Sequence, residues 1–218
     1  MKKNKQRVVI VEDHPMFRER LSQLINRELD MEVCGEADDA QEGLRLIRDT
    51  SPNLAIVDIT LKGSSGLELV KSIRALSIVV PVLVLSMHDE SIYAERALRA
   101  GASGYITKHQ ATDEVLSATR RVLAGEIYLS EKMTHSFLKC LSAVGAKRIA
   151  RPLDRLTDRE LQVLEFIGRG YTSHAVAEAL KVGVATVNTY RARIKQKMDF
   201  RGAFELQHFA IRWVRDRE

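Results

Sequence analysis

Five polar side chains in the first half of the sequence each stand at the end of a short strand-like run. They are two adjacent acids, a third acid, a hydroxyl group and an ammonium group: Glu12, Asp13, Asp58, Ser86 and Lys108. Short apolar runs bounded by turn residues are typical of buried parallel strands. Because the carboxyl ends of parallel strands meet at one edge of a sheet, we expect these five side chains to lie close together.

The chemistry of this set is that of a phosphate-handling site. Three neighbouring carboxylates repel one another unless a cation neutralises them, and Mg²⁺ is commonly held by one or two carboxylates, waters and a phosphate oxygen. A serine hydroxyl and a lysine ammonium group suit phosphate oxygens. The sequence therefore predicts that Asp58 accepts a phosphoryl group beside a Mg²⁺ ion.

The elements that must position these residues alternate between strand and helix patterns. The predicted strands are Val8–Val11, Glu32–Ala37, Leu54–Ile59, Val80–Ser86 and Gly104–Thr107. The predicted helices are Met16–Leu29, Ala40–Arg48, Gly66–Leu76, Ser91–Ala100 and Thr112–Ala124. A repeated strand and helix alternation predicts an α/β fold, with a five-stranded parallel sheet covered by helices on both faces.

The pattern after residue 127 is helical. Residues 128–152 are predicted to be a linker, with a possible helix over Glu131–Leu141 and a tether over Ser142–Arg151. Residues 153–218 are predicted to form an all-α domain of four helices. A capping box, Thr157 to Glu160, precedes the first of them. The others are Ser173–Leu180, Ala185–Met198 and Ala203–Val214.

The third of these four helices has the character of a DNA-reading helix. The tight turn Lys181–Gly183 before it is typical of a helix-turn-helix, whose last helix lies in the major groove. It carries four cations within seven residues, 191–197, and no acid among them. The candidate DNA contacts are Thr186, Asn188, Thr189, Arg191, Ala192, Arg193, Lys195 and Gln196. The alternative is a solvated basic helix, which the preceding turn disfavours.

Charge is unevenly distributed along the chain. Residues 1–127 carry 17 Lys and Arg against 19 Asp and Glu, whereas residues 151–218 carry 13 against 9. A basic last part suggests a polyanionic partner there. The apolar run near the N-terminus is too short for a signal peptide, and Cys34 and Cys140 match no metal-ligand spacing. We expect a cytoplasmic protein with no membrane contact.

The first part resembles the receiver domain of bacterial response regulators. The residues that carry the resemblance are 9–14, 55–58, 84–86 and 101–108. It implies a flavodoxin-like, doubly wound sheet of order 2-1-3-4-5, with Asp58 phosphorylated by a sensor histidine kinase. It further implies that the backbone carbonyl of Thr60 joins Glu12, Asp13 and Asp58 around Mg²⁺. Ser86 and Tyr105 would be the switch pair, and Lys108 would contact the phosphoryl group.

The last part resembles the LuxR-type domain of the NarL/FixJ regulators, through residues 156–164, 168–170 and 185–187. Several features depart from the family patterns, among them Lys62, where a proline is frequent, and the stretch 171–177 before the second helix. His109 follows Lys108 where a proline is usual, and Tyr190 replaces a histidine common in the DNA-reading helix. The resemblance implies double-stranded DNA as a partner and a homodimer when phosphorylated. The predicted domains are thus a receiver over 1–127, a linker over 128–152 and a DNA-binding domain over 153–218.

Two alternatives stay open at this point. A phosphatase of the haloacid-dehalogenase kind also forms an aspartyl phosphate, but it normally has a second Asp two residues after the nucleophile, and Thr60 stands there. An unphosphorylated interaction module with the same fold is the other, and the complete set of polar strand ends disfavours it. The prediction is a phosphorylation-controlled transcriptional regulator, not an enzyme beyond its own phosphoryl acceptance.

Overall fold

A computed structural model of the chain describes residues 5–109, 112–135 and 152–217, the side chains of residues 112 and 113 excepted. The chain divides into two compact units, residues 1–145 and 146–218. The predicted helix over Glu131–Leu141 is described as far as residue 135, where residues 131–135 are helical. The predicted tether and Cys140 lie outside the described residues. In the described part of the chain, no helix is long and apolar enough to cross a membrane.

The first unit is a five-stranded parallel sheet with helices on both faces. Its strands are β1 (Gln6–Val11), β2 (Met31–Ala37), β3 (Leu54–Asp58), β4 (Val82–Ser86) and β5 (Gly104–Thr107), in the order β2-β1-β3-β4-β5. Its helices are α1 (Pro15–Asn26), α2 (Ala40–Thr50), α3 (Gly66–Ala75), α4 (Glu90–Ala100) and α5 (Thr112–Leu123). The predicted fold class and strand order are confirmed.

The continuous apolar runs of the strands arise because the sheet is buried on both faces. On one face, Ile10 and Ile56 pack in a core with Ile25 of α1 and Val122 of α5. On the other face, α2 approaches β1 so closely that a Cβ on Gly43 would lie 2.8 Å from the Val11 side chain. A strand covered on both sides has no polar face, which is why its residues do not alternate.

The register brings the polar strand ends to one edge. Val11 is paired with Val57, Asp58 with Leu85, and Ser86 with Thr107. The chain leaves β1 for β2 on one side and returns to β3 on the other, so the sheet order reverses between β1 and β3. In open α/β sheets, ligands bind at such a reversal, outside the carboxyl ends of the strands.

Several element boundaries differ from the prediction by one to three residues, and two of the differences have clear reasons. Helix α1 ends at Asn26 rather than at Leu29, and the Asn26 side-chain oxygen accepts a hydrogen bond of 2.8 Å from the Val33 N–H. Strand β4 begins at Val82 because Pro81 has no N–H to donate. The Pro81 carbonyl still accepts a bond of 3.0 Å from the Ala55 N–H.

The chain beyond α5 stays on the sheet past residue 127. The Tyr128 N–H donates to the Ser103 carbonyl at 3.0 Å, and the Tyr105 N–H donates to the Tyr128 carbonyl at 2.9 Å. Tyr128 is therefore paired with the free edge of β5, and its side chain is buried.

The second unit is helical throughout its described length. A short 3₁₀ helix (Pro152–Arg155) precedes α6 (Asp158–Gly168), α7 (Ser173–Ala179), α8 (Val184–Lys197) and α9 (Ala203–Arg215). The capping box before α6 is confirmed, since the Thr157 and Glu160 side chains each accept from the other residue's backbone N–H. In the turn before α8, Lys181 adopts the left-handed conformation at φ 52°, and Gly183 is the extended N-cap.

Candidate functional site

Three carboxylates converge where β1 and β3 end. Each of Glu12, Asp13 and Asp58 offers an oxygen, and these oxygens lie within 4.8 Å of one another. Glu12 and Asp58 are buried, at 2% and 5% exposure, and Asp13 is half-buried. An all-oxygen donor set of this kind fits a hard divalent cation such as Mg²⁺. The cluster can therefore bind a metal ion.

Lys108 joins this cluster from the loop after β5. Its Nζ lies 2.6 Å from a Glu12 carboxylate oxygen and 3.0 Å from an Asp58 oxygen. Its Nζ also lies 4.6 Å from the centre of the Phe17 ring, and its backbone N–H donates to the Ser86 carbonyl at 2.8 Å. Lys108 thus supplies positive charge directly between two buried acids.

The buried charges perturb one another. Burial raises the pKa of Asp58 to about 7, and the Glu12 carboxylate adds to the rise, while the Lys108 ammonium and the Thr60 N–H oppose it. Burial by itself would lower the pKa of Lys108, but the Asp58 and Glu12 carboxylates outweigh it, so that pKa lies above its usual value. Without a metal ion, burial thus favours the neutral form of Asp58, whereas the two carboxylates favour the charged form of Lys108.

The loop after β3 is folded tightly around Asp58. The Thr60 N–H bonds to the Asp58 carboxylate, and the Gly66 N–H donates to the Ile59 carbonyl at 2.8 Å. Gly66 lies against the backbone of Asp58, where a Cβ would have no room. The Ser65 side chain then caps α3 by accepting from the Leu67 N–H. Only glycine permits this return of the chain past the acceptor residue.

Ser86 and Tyr105 are both fully buried and meet at His88. The Ser86 Oγ accepts from the His88 N–H at 3.1 Å, and the Tyr105 hydroxyl donates to the His88 carbonyl at 2.8 Å. The His88 Nε2 lies 2.9 Å from the Thr60 Oγ1. His88 is not among the predicted site residues. The sequence feature that could have indicated a role for His88 is its position two residues after Ser86, in the loop that follows a strand of the site.

The structure therefore gathers the predicted residues at one end of the sheet. Glu12, Asp13, Asp58 and Lys108 form one cluster, and Thr60 borders it through its hydrogen bond to Asp58. Ser86 and Tyr105 lie beside it, connected through His88. Among the described residues no peptide bond is cis, including the one that joins Lys108 to His109.

In the second unit, α8 presents most of the predicted DNA contacts to solvent. Its buried residues are Val187 and Ile194, which face the helical core. The exposed candidates are Thr186, Asn188, Thr189, Ala192, Arg193 and Gln196. Arg191 and Lys195 are half-buried. The face opposite the core thus carries small and polar side chains, which permit close approach to a nucleic acid.

The cations of α8 are not equivalent. Arg193 is exposed, but the Arg191 guanidinium donates to the Ser173 Oγ at 3.3 Å. Lys197 Nζ lies 2.7 Å from a carboxylate oxygen of Glu160, which is 1% exposed. Burial would raise the pKa of Glu160, but the bonds to Lys197 and Thr157 hold it below its usual value. Lys197 therefore neutralises a buried acid of α6.

Two families of proteins match the two units of the chain. Residues 8–120 match the response regulator receiver domain, and residues 154–210 match the bacterial regulatory proteins of the luxR family.

Relatives with both parts match over most of their length. The transcriptional regulatory protein DegU of Brevibacillus brevis is 32% identical over 209 residues, which cover 90% of this chain and 89% of DegU. The response regulator UvrY of Escherichia coli K12 is 30% identical over 205 residues, which cover 94% of this chain and 93% of UvrY. Among solved structures, a LuxR-family two-component response regulator from Aurantimonas is 35% identical, with a TM-score of 0.59, over 64% of this chain and 99% of that one.

Each matched range contains one of the two candidate sites. The receiver family covers the carboxylate cluster, and the luxR family covers the exposed face of α8. The combination of the two in one chain is that of a DNA-binding regulator rather than a classical enzyme. The chain therefore belongs to the NarL/LuxR-type response regulators, the phosphorylation-regulated transcriptional regulators of two-component systems.

Proposed function

We propose that Asp58 is the residue that accepts the phosphoryl group, from a phosphohistidine of a sensor kinase and with Mg²⁺ bound alongside. The observation that carries the proposal is the placement of the Asp58 carboxylate. It is buried at the carboxyl end of a central strand, next to two further acids and 3.0 Å from the Lys108 Nζ. That arrangement suits a nucleophilic carboxylate, which must be negatively charged and must lie beside positive charge that can offset the charge of the incoming phosphoryl group.

In the proposed reaction, the only covalent step made by the protein is attack by one carboxylate, and the other residues position groups and stabilise charge. An Asp58 Oδ attacks phosphorus, the P–N bond to the donor histidine breaks, and its electron pair stays on the imidazole. Glu12, Asp13, Asp58 and the Thr60 carbonyl would hold the Mg²⁺. When bound, the ion offsets negative charge on the transferring group. The Thr60 N–H orients the carboxylate, and Lys108 favours its deprotonated form, which is the form that attacks.

The phosphorylated state would be held by residues already in place. Lys108 would pair with a phosphoryl oxygen after a small shift from Asp58, and the Ser86 hydroxyl would donate to another. Phosphorylation adds about −1.5 to −2 charges, and Ser86 with Tyr105 would pass the change on as the switch pair. Moving a two-state equilibrium from 1:99 to 99:1 takes about 5.5 kcal/mol of difference between the states.

The output of this switch would be DNA binding through α8. Arg191, Arg193 and Lys195 would contact phosphates, and the remaining candidates, Asn188 and Gln196 above all, would approach base edges. We infer a homodimer in the phosphorylated state, because two copies of a helix-turn-helix can occupy two half-sites of one operator. A regulator that is phosphorylated by a sensor kinase and binds DNA would act in the cytoplasm.

The test is chemical phosphorylation followed by intact-mass spectrometry. Wild-type protein incubated with acetyl phosphate and Mg²⁺ should gain one phosphoryl group, and EDTA should prevent it. Asp58→Asn should gain none. Asp49→Asn, the same change at an exposed residue of α2, should behave as wild type. An unmodified wild type, or an Asp58→Asn variant that is labelled equally, would remove Asp58 as the acceptor.

A further inference from the structure

His88 makes hydrogen bonds and a ring contact with residues of several elements. It lies between β4 and α4 and is 9% exposed. Its ring Nε2 lies 2.9 Å from the Thr60 Oγ1, in the loop after β3. Its backbone N–H and carbonyl are bonded to the Ser86 and Tyr105 hydroxyl groups. Its ring also packs on Tyr93 of α4, with ring centres 4.6 Å apart.

Two of these contacts, with Thr60 and with Ser86, fix groups that the proposed phosphoryl transfer uses. Thr60 holds the Asp58 carboxylate through its backbone N–H. Anchoring the Thr60 side chain therefore also limits the movement of that N–H and of the neighbouring carbonyl. The Ser86 Oγ accepts from the His88 N–H at 3.1 Å, which leaves its own proton free to point elsewhere. A phosphoryl oxygen is the partner that this proton would meet.

We infer that His88 is a positioning residue for phosphoryl acceptance. Its side chain ties the loop after β3 to the loop after β4, so that Thr60 and Ser86 keep a fixed relation to Asp58. It touches none of the reacting atoms and acts through these two residues. The inference rests on the proposed function, because it concerns the rate of the reaction assigned to Asp58.

A purely structural role for His88 makes a different prediction. A buried imidazole must have polar partners in any case, and losing them costs stability wherever it occurs. If that were all, substitutions at His88 would lower the free energy of unfolding, and the rate of phosphorylation of the folded protein would not change. A positioning role requires the rate to fall in protein that is still folded, and to recover when the hydrogen bond is restored.

The experiment uses the full chain with acetyl phosphate and saturating Mg²⁺, and measures the initial rate of phosphorylation. His88→Ala removes the ring, and His88→Gln retains an amide group that can donate or accept a hydrogen bond at a similar reach. Thr60→Val removes the other half of the hydrogen bond while keeping the backbone. His135→Gln applies the same chemical change to an exposed residue outside the site. Thermal unfolding of every variant shows whether it is folded at the assay temperature.

We expect His88→Ala and Thr60→Val each to slow phosphorylation about two- to tenfold, the effect of losing one neutral hydrogen bond. The double variant should be no slower than the slower single variant, because both changes break the same bond. His88→Gln should recover most of the rate, and His135→Gln should match wild type. If His88→Ala does not fold, Thr60→Val and His88→Gln still carry the test.

Two results would overturn the inference and leave the proposed function intact. One is a wild type that is phosphorylated and a folded His88→Ala variant that reacts equally fast. The other is a double variant whose rate loss is the product of the two single losses, which would mean that the residues act independently. A wild type that accepts no phosphoryl group would overturn the proposed function, and the inference with it.

Discussion

The two functional regions of this chain hold their charges in opposite ways. In the carboxylate cluster at the end of the sheet, the side chains of Glu12, Asp58 and Lys108 are at most 6% exposed, and Lys108 is ion-paired with both acids. On α8, Arg193 and Asn188 are exposed to solvent. The difference follows from what each region must do. The phosphoryl transfer proposed for Asp58 is favoured by burial, because electrostatic interactions are stronger where water is excluded. DNA, in contrast, can be contacted only by side chains that are exposed to solvent.

This contrast predicts its largest effect for removal of the buried cation. Lys108→Met leaves Glu12 and Asp58 close together with no positive charge between them. Without metal, we expect a loss of about 3 kcal/mol in the free energy of unfolding, as when one partner of a buried pair is removed. Added Mg²⁺ should recover part of this loss, because the ion would restore positive charge beside the carboxylates. Urea unfolding in EDTA and in Mg²⁺, followed by circular dichroism, measures both.

The matched control for Lys108→Met is Arg193→Met on the exposed face of α8. It should change the free energy of unfolding by less than about 0.5 kcal/mol, as surface substitutions usually do. Equal urea midpoints for Lys108→Met and wild type in EDTA would show that the buried carboxylates do not depend on this lysine.

Within α8, the contrast separates two lysines that look alike in sequence. Lys197 is bonded to buried Glu160, so Lys197→Ala should cost about 1 to 2 kcal/mol of stability by leaving that acid unpaired. Lys195→Ala should cost little stability but should weaken DNA binding and reduce the slope of log K against log salt by about 1.

The measurements for this pair are urea unfolding and fluorescence anisotropy with duplex DNA at several salt concentrations. Each lysine serves as the control for the other. If Lys197→Ala lowers the salt slope and leaves stability unchanged, then Lys197 contacts DNA in solution and its ion pair with Glu160 does not stabilise the fold.

The membership of the carboxylate cluster and its neighbours was largely predictable, because residues at the ends of parallel strands lie at one edge of the sheet. Five parallel strands place the residues that follow them at one edge, so Asp58, Ser86 and Lys108 had to converge once the strands were recognised. What the sequence could not show was the distribution of bonds within the site. The contact of His88 with Thr60 joins residues 28 positions apart, and nothing in the local pattern of either residue announces it.

The face of α8 was predictable from helical period alone, since Val187 and Ile194 had to point inward. The roles of its cations were not. Counting positive charges treats Lys195 and Lys197 alike, but the second is paired with Glu160, which lies 37 residues earlier on α6. Likewise the turn before α8 was expected from Gly183, whereas Lys181 takes the left-handed conformation there.

The last prediction concerns Asp58 itself, and its sign is opposite to that of Lys108→Met. Because burial raises the pKa of Asp58 to about 7, its charged form destabilises the fold without metal. Asp58→Asn removes that charge and keeps the shape. In EDTA at pH 8 it should be more stable than wild type by at least about 1 kcal/mol, or at least about 4 °C in Tm for a domain of this size.

The pH dependence gives this prediction its sharpest form. A raised carboxyl pKa contributes stability below the ordinary pKa of 3.8, and that contribution is lost as the pH rises to about 7. The Tm advantage of Asp58→Asn should therefore grow between pH 4 and 7 and level off above, as scanning calorimetry in EDTA can measure. Asp49→Asn, at an exposed position, should show no such growth. A constant difference across this range would mean that Asp58 is already ionised at pH 4, and that Lys108 outweighs its burial.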